Sequence, residues 1–109
     1  MNVHPTATQD RILGGLWGCV VGDALGVPVE FQSRSTIQKN PVTDLRAFGT
    51  HDQPLGTWSD DTSLMLCEAE SLLQHPLDPD DMARRFVAWH DEASWTPWGK
   101  VFDLGIATS

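Results

Sequence analysis

The chain has 109 residues, of which 40% are hydrophobic and 20% charged, a composition typical of a soluble globular protein rather than a disordered one. Its formal net charge is -8, from 15 acidic against 7 basic side chains, so attraction to nucleic acid or to anionic lipid is not expected. This length suffices for one domain, or part of one, with a single core. The acidic side chains are clustered, which favours bound cations over nucleic acid or anionic lipid as partners.

The cysteines and the N-terminus predict a cytoplasmic protein. Cys19 and Cys67 lie far apart in apolar segments with no CxxC spacing, which is typical of buried, reduced thiols. The most apolar run, residues 12–25, is interrupted by five glycine and aspartate positions and is shorter than the ~20 residues that span a bilayer. The first nine residues lack the positive start of a secretory signal. We therefore expect no transmembrane helix and no membrane partner.

The first predicted helix covers residues 11–25, with Asp10 as its N-cap. The glycines in this helix call for an explanation, because each glycine inside a helix lowers its stability by ~1 kcal/mol relative to alanine. A stripe of such small residues permits very close approach, either of another helix or of a ligand or loop. The stripe consists of four glycines that recur at every fourth position: Gly14, Gly18, Gly22 and Gly26.

Residues 27–57 favour a loop with at most short helical turns, because three prolines and two glycines interrupt a polar stretch. A loop of this length in a compact domain is usually functional or mobile. A second helix is predicted from Ser59 or Asp60 through Leu73, and His75 and Pro76 end it.

The third predicted helix has Asp78 as its N-cap and Pro79 at its first position, and two further aspartates lie in its first turn. A turn bearing tryptophan and proline then leads to residues 102–105, which open a further element. No segment alternates apolar and polar side chains as a strand does, so we predict an all-α fold. The core face of the third helix consists of Met82, Phe86 and Trp89.

Two interpretations fit Ser59, Asp60 and Asp61 at the start of the second helix. The first is capping, because these side chains accept hydrogen bonds from free backbone N–H groups and their charge suits the helix dipole. The pair Asp80–Asp81 begins another helix, which shows that an acidic pair alone proves little. The second is a site for hard cations such as Mg²⁺, Mn²⁺ or Ca²⁺, which prefer oxygen ligands.

Consecutive helical residues diverge by about 100°, so two neighbouring aspartates could each face a different ion of a two-metal pair. Three donors do not complete an octahedron, and water, substrate or other protein oxygens would have to fill it. The histidines show no ligand spacing and are assigned no role. The tryptophans are expected in the core, with stacking on an adenine as the alternative.

Two long motifs resemble the N-terminal signatures of the ADP-ribosylglycohydrolases. They are GDALGVPVEF at residues 22–31 and GTWSDDTSLMLCEAESLL at residues 56–73. The similarity continues to FDLG at residues 102–105, and so covers nearly the whole chain after the first ten residues. It implies an all-α, multi-helix orthogonal bundle that holds two divalent ions, Mg²⁺ or alternatively Mn²⁺. The implied reaction is hydrolysis of the bond between ADP-ribose and a protein side chain, or of a related small ADP-ribose conjugate.

The resemblance also implies roles for individual residues. Ser59, Asp60 and Asp61 correspond to the family's metal-binding hydroxyl and aspartates, and Asp61 counts among the catalytic residues as well. Glu30 corresponds to a catalytic glutamate on a mobile loop, which organises or activates the attacking water, with a solvated loop carboxylate as the alternative. Asp103 corresponds to an aspartate that approaches the substrate ribose, although an N-cap explains it equally well.

The family's members are considerably longer, and an aspartate-rich C-terminal signature supplies their remaining metal ligands. We therefore expect residues 1–109 to be the N-terminal part of a single domain that is incomplete in this chain. Alone, it is expected to bind divalent ions weakly and to show no turnover. The alternative to part of a hydrolase is a protein without catalytic activity: an inactive fragment, or a module that binds ADP-ribose or a partner and lacks the C-terminal ligands.

Overall fold

The structure is a computed structural model that describes residues 6–105. Within that range the chain forms no β-strand, and Phe48 and Gln53 make an isolated antiparallel bridge. The predicted all-α class is confirmed. The helices are α1 (Ala7–Gly26), α2 (Arg34–Lys39), α3 (Asp60–Gln74) and α4 (Pro79–Glu92), with short 3₁₀ turns at Val27–Val29 and Gly49–His51.

Helix α1 begins earlier than predicted. Its N-cap is Thr6, whose hydroxyl accepts a hydrogen bond from the Gln9 amide at 3.2 Å, while the Thr6 amide donates to Gln9 Oε1 at 2.7 Å. This reciprocal pair satisfies two backbone groups at once. Asp10 lies in the first turn, so its predicted role as N-cap is wrong.

The earlier start also corrects the argument from length. Helix α1 and the following turn, Ala7–Val29, make a 23-residue segment, long and apolar enough to cross a membrane; an 18-residue stretch within it has a mean hydropathy of 1.6 and is 17% buried. A core helix of a soluble protein passes the same test. Here Asp23, inside the segment, hydrogen bonds to the beginning of α3, a contact that suits a helix of a folded domain.

The glycine stripe of α1 packs against nothing in residues 6–105. A Cβ atom added at any of its four glycines would meet no atom within 4 Å. The adjacent apolar side chains are open as well, and Trp17 is 66% exposed. Cys19 is exposed, so its predicted burial is wrong, whereas Cys67 is buried as expected. The close packing expected of this face is therefore not made within the described part of the chain.

Helices α3 and α4 pack against each other and form the main core, with Cys67 and Trp89 buried between polar neighbours. Helix α4 has the predicted N-cap, because Asp78 Oδ1 accepts from the amides of Asp80 and Asp81 at 3.1 and 3.2 Å. These local signals placed both helices correctly.

The predicted loop over residues 27–57 is confirmed, with two 3₁₀ turns and the six-residue α2 as its regular parts. The two turns pack on each other. Gly49 has a φ of +68°, and a Cβ there would overlap the backbone of Pro28, so this position requires glycine. The close approach brings His51, at the end of the second turn, next to Glu30, which follows the first.

Candidate functional site

An open cleft of about 800 Å³ lies between the C-terminal half of α1, the beginning of α3 and residues 103–105. We call it the acidic cleft, because five acidic side chains line it. It brings together every residue that the sequence assigned to a site, although three separate segments supply them. The acidic residues of its lining are Asp23, Glu30, Asp60, Asp61 and Asp103, and Ser59 lies beside them.

Asp23 holds the beginning of α3 in place. Its Oδ1 accepts from Ser59 Oγ at 2.6 Å, and its Oδ2 accepts from the Ser59 amide at 2.8 Å. The same Oδ2 accepts from the Thr62 hydroxyl at 2.6 Å and from the Thr62 amide at 3.2 Å. An aspartate from another helix thus caps α3, and it fixes the Ser59 hydroxyl hydrogen so that the oxygen keeps a lone pair for another partner.

Sequence reasoning assigned no role to Asp23. Its partners are 36 and 39 positions away, and no local spacing predicts a contact over that distance. The one available signal was its place within GDALG, inside the first of the two family-like motifs.

Capping explains Ser59 but not Asp61. Ser59 is the N-cap of α3, and its Oγ also accepts from the Asp61 amide at 3.3 Å. Asp60 Oδ1 accepts from the same amide at 3.1 Å, and its Oδ2 accepts from the Gly105 amide at 3.2 Å. The Asp61 carboxylate makes no hydrogen bond or ion pair within residues 6–105.

The charge of this region is unbalanced. Partial burial, followed by the negative charges of Asp60 and Asp23, raises the pKa of Asp61 above its ordinary range. In the described part of the chain, no basic side chain forms an ion pair with any of these three aspartates. A bound cation would relieve this repulsion, and the hydroxyl and carboxylate oxygens on offer are those that Mg²⁺ and Mn²⁺ prefer.

Glu30 and Asp103 face each other across His51. The distance from His51 Nε2 is 3.4 Å to Glu30 Oε2 and 4.0 Å to Asp103 Oδ2. The Glu30 backbone is held by Thr50, whose hydroxyl donates to the Glu30 carbonyl at 2.6 Å. Asp103 lines the cleft. It lies in residues 101–105, which have no regular secondary structure, and a helix that it could cap would fall outside the described residues.

Trp58 and Trp98 brace the loops behind α3 instead of lining the cleft. The expectation that the tryptophans lie in the core is confirmed for Trp89, which is 2% exposed, and is wrong for the exposed Trp17, Trp95 and Trp98. Trp58 Nε1 donates to the Trp95 carbonyl at 3.1 Å, and Trp98 Nε1 donates to the Thr57 hydroxyl at 2.6 Å. No tryptophan is among the residues that line the acidic cleft within residues 6–105. These two side chains therefore fix the segment that leads into Ser59.

The fold and the cleft define a class of protein, namely a helical one with an oxygen-rich, acidic cleft at the start of a helix. Comparison with known families narrows that class. Residues 4–109 match the family described as ADP-ribosylglycohydrolase. The chain belongs to this family.

Curated relatives agree with the family match. The chain is 34% identical over 105 residues to the ADP-ribosylarginine hydrolase Tri1 of Pseudomonas putida, covering 95% of this chain and 28% of that protein. It is 34% identical over 108 residues to the ADP-ribosylhydrolase ARH3 of Danio rerio, covering 95% and 28%. It is 32% identical over 93 residues to the ADP-ribosyl-[dinitrogen reductase] glycohydrolase of Rhodospirillum rubrum, covering 76% and 29%.

The chain thus spans under a third of the length of these relatives. No solved structure gives a significant match.

Proposed function

We propose that this chain is the N-terminal part of an ADP-ribosylglycohydrolase domain and supplies one wall of a site for two divalent cations, Mg²⁺ or Mn²⁺. The whole protein would hydrolyse the bond between ADP-ribose and a protein side chain, or a small ADP-ribose conjugate. The observation that carries the proposal is the convergence of Ser59, Asp60 and Asp61 on one acidic cleft, where no basic side chain of residues 6–105 pairs with them.

The residues present fit hard cations. Ser59 offers a hydroxyl oxygen whose hydrogen already points to Asp23, and Asp61 offers a carboxylate with no competing partner in residues 6–105. Asp60 keeps lone pairs beside its bonds to two amides. Bound divalent ions would supply electrostatic polarisation and a hold on ribose hydroxyls. Six oxygens around each ion exceed what three side chains provide, so further ligands must come from water, substrate or additional protein.

The remaining acidic residues suit the other tasks of such a reaction. Glu30 extends from the loop that follows α1 and can accept a hydrogen bond from a water molecule, which would orient that water for attack on the anomeric carbon. Asp103, on the opposite side of His51, can accept a hydrogen bond from a sugar hydroxyl. The cleft volume of about 800 Å³ lies in the range of about 300–1,000 Å³ that small-molecule sites occupy.

The relatives support the substrate class. The names of three of them refer to ADP-ribosylarginine, to ADP-ribosyl groups, and to ADP-ribosylated dinitrogen reductase. We therefore propose an ADP-ribosylated protein as the partner, with a small ADP-ribose conjugate as the alternative.

One observation favours a second candidate, a silent module whose site a partner completes. The apolar face of α1 is open in the described residues, with Ile12, Leu13 and Trp17 each between 47% and 66% exposed. In the hydrolase, later parts of the same domain would cover this face. In the module, another polypeptide would do so.

The test compares the two acidic pairs in the longest protein that contains this sequence. Release of ADP-ribose from an ADP-ribosylated protein should require Mg²⁺ or Mn²⁺ and should be abolished by Asp60→Asn. The matched control is Asp80→Asn, which changes the exposed first aspartate of the pair in the first turn of α4 and should leave the rate unchanged. Equal rates in both variants would refute the metal role of Asp60, and no turnover in the unmodified protein would favour the silent module.

A further inference from the structure

His51 carries a buried nitrogen that has no hydrogen-bond partner within residues 6–105. Its Nε2 atom is inaccessible to solvent and makes no hydrogen bond, a property that only Gln53 Oε1 shares among the side chains of residues 6–105. Most buried polar atoms in folded proteins are paired, and each exception calls for an explanation such as a bound ion or water. The side chain is 12% exposed, so solvent does not supply the partner.

Two carboxylates converge on this nitrogen. Glu30 Oε2 lies at 3.4 Å and Asp103 Oδ2 at 4.0 Å from it, and all three atoms lie within 4.8 Å of one another. Neither carboxylate makes any other side-chain contact to a hydrogen-bond donor within the described range. Three donor atoms from three separate segments therefore point at one small volume.

The surroundings hold this cluster together. The ring of Phe102 packs against His51 at 5.2 Å and the ring of Phe31 at 6.2 Å between centroids, each tilted by about 60°. The 3₁₀ turn that carries His51 is locked onto the turn before Glu30 by the contact of Gly49 with Pro28. Contacts with two aromatic rings and the packing of its backbone therefore restrict the imidazole.

We propose that Glu30, His51 and Asp103 form a second cation site, which takes one borderline divalent cation of the Zn²⁺ or Co²⁺ kind. Imidazole nitrogen suits such ions and not Mg²⁺ or Ca²⁺, which select oxygen. A tetrahedral ion with bonds of about 2.0–2.2 Å separates its ligand atoms by roughly 3.3–3.6 Å. The 3.4 Å from His51 to Glu30 lies in this range, whereas the 4.0 Å to Asp103 exceeds it, so ion binding would draw Asp103 closer.

This site goes beyond the proposed function, which gives His51 no role, and it competes with that function for two residues. While Glu30 and Asp103 hold such an ion, they cannot accept hydrogen bonds from the attacking water and from a sugar hydroxyl. The site uses none of the three proposed Mg²⁺ ligands. A simple proton is the competing explanation, because a neutral or charged imidazole could shift toward Glu30 and donate to it. Only the cation explanation requires stoichiometric binding of a borderline metal.

The experiment is a titration of the purified chain with Co²⁺ in excess Mg²⁺, followed by the visible absorption of bound Co²⁺. Every variant carries His4→Gln, so that this histidine outside the described residues contributes nothing. One equivalent should bind, and Zn²⁺ should displace it. His51→Gln should weaken binding by more than about tenfold, since even indirect contacts to a metal ligand are worth 10–100-fold. The controls His90→Gln and Asp80→Asn should bind as the parent does.

Glu30→Gln provides a second variant in case His51→Gln unfolds, which circular dichroism would reveal. It removes a ligand from a residue whose side chain is 38% exposed, so the fold should tolerate it, and Co²⁺ binding should again fall more than tenfold. Absence of a Co²⁺ complex in the parent, or equal affinity in the parent and Glu30→Gln, would overturn the proposal. Whether the longer protein has Mg²⁺-dependent activity tests the proposed function and not this second cation site.

Discussion

The chain contains the dipeptide Asp–Asp in the first turn of two helices, and the neighbours of the two pairs carry opposite charges. Asp60–Asp61 occupies the first two positions of α3, and Asp80–Asp81 follows Pro79 in the first turn of α4. Asp81 is buried, and its Oδ2 accepts from Ser71 Oγ at 2.6 Å and from Arg85 Nε at 2.8 Å. These hydrogen bonds lower the pKa of Asp81, whereas the pKa of Asp61 is raised.

The difference lies in the neighbours and not in the dipeptide. Around Asp81 stand the cationic groups Arg84 and Arg85, with His75 at 3.7 Å. Around Asp61 stand Asp60 and Asp23. The first pair is compensated within the chain and ties α4 to α3. Within residues 6–105 the second pair has no basic partner, and we propose that a bound cation balances its charge at the cleft.

The largest effect should come from Asp81→Ala. This variant removes the partner of Arg85 and Ser71 between α3 and α4, so the melting temperature should fall by more than about 5 °C. Asp80→Ala is the matched control, because Asp80 is exposed and should cost little. Thermal unfolding by circular dichroism measures both. An equal, small effect of the two variants would mean that the Arg85 pair does not hold the helices together.

Acidification should remove the same contribution. The folded-state pKa of Asp81 lies below its unfolded value, so its stabilisation is present above the unfolded value and is lost as the pH falls through the folded one. Between neutral pH and strongly acidic pH, the stability gap between the unmodified chain and Asp81→Ala should therefore narrow. A gap that stays constant down to acid would contradict the ion pair.

Asp23→Ala should have the next largest effect. It leaves the Ser59 and Thr62 groups without their acceptor, and an unsatisfied buried polar group costs ~1–3 kcal/mol. Urea unfolding should show that loss, and Ser59→Ala in the Asp23→Ala background should cost less than Ser59→Ala alone. Additive effects of the two substitutions would show that the hydrogen bonds do not couple α1 to α3.

These contacts show where sequence reasoning succeeded and where it failed. The bounds of α3 and α4 followed from local signals, as Asp78 and Pro79 show. The start of α1 was missed because a capping box at Thr6 lies upstream of the more conspicuous Asp10. The partners of Asp23 lie far away in the chain, so its role depends on tertiary packing that no spacing encodes.

His51 was missed for the same physical reason. Its two carboxylate neighbours lie 21 positions before it and 52 positions after it in the chain. A sequence reveals metal-ligand spacing only when the ligands are close together in the chain. The cluster Ser59, Asp60 and Asp61 was located correctly because its members are contiguous. Their proposed ion ligation stays a prediction.

The smallest effect should be a gain in stability from Asp61→Asn in the absence of metal. The raised pKa of Asp61 means that folding disfavours its charged form, so removing the charge at neutral pH stabilises the chain. The gain should stay below about 1 kcal/mol because the side chain is open to solvent and screened by salt. The gain should shrink as the pH falls through the raised pKa of the folded state and vanish below the unfolded pKa, where the aspartate is protonated in both states. A loss of stability would instead assign Asp61 a structural role.

The most direct test of the account asks which aspartate pair attracts a cation. Paramagnetic Mn²⁺, added in small amounts to the isotope-labelled chain, broadens the amide NMR signals of residues near its binding site, even when binding is weak. The account predicts strong broadening at residues 59–62, none at residues 79–82, and loss of the effect in Asp61→Asn. Equal broadening at both helix starts, or at residues 79–82 alone, would contradict it.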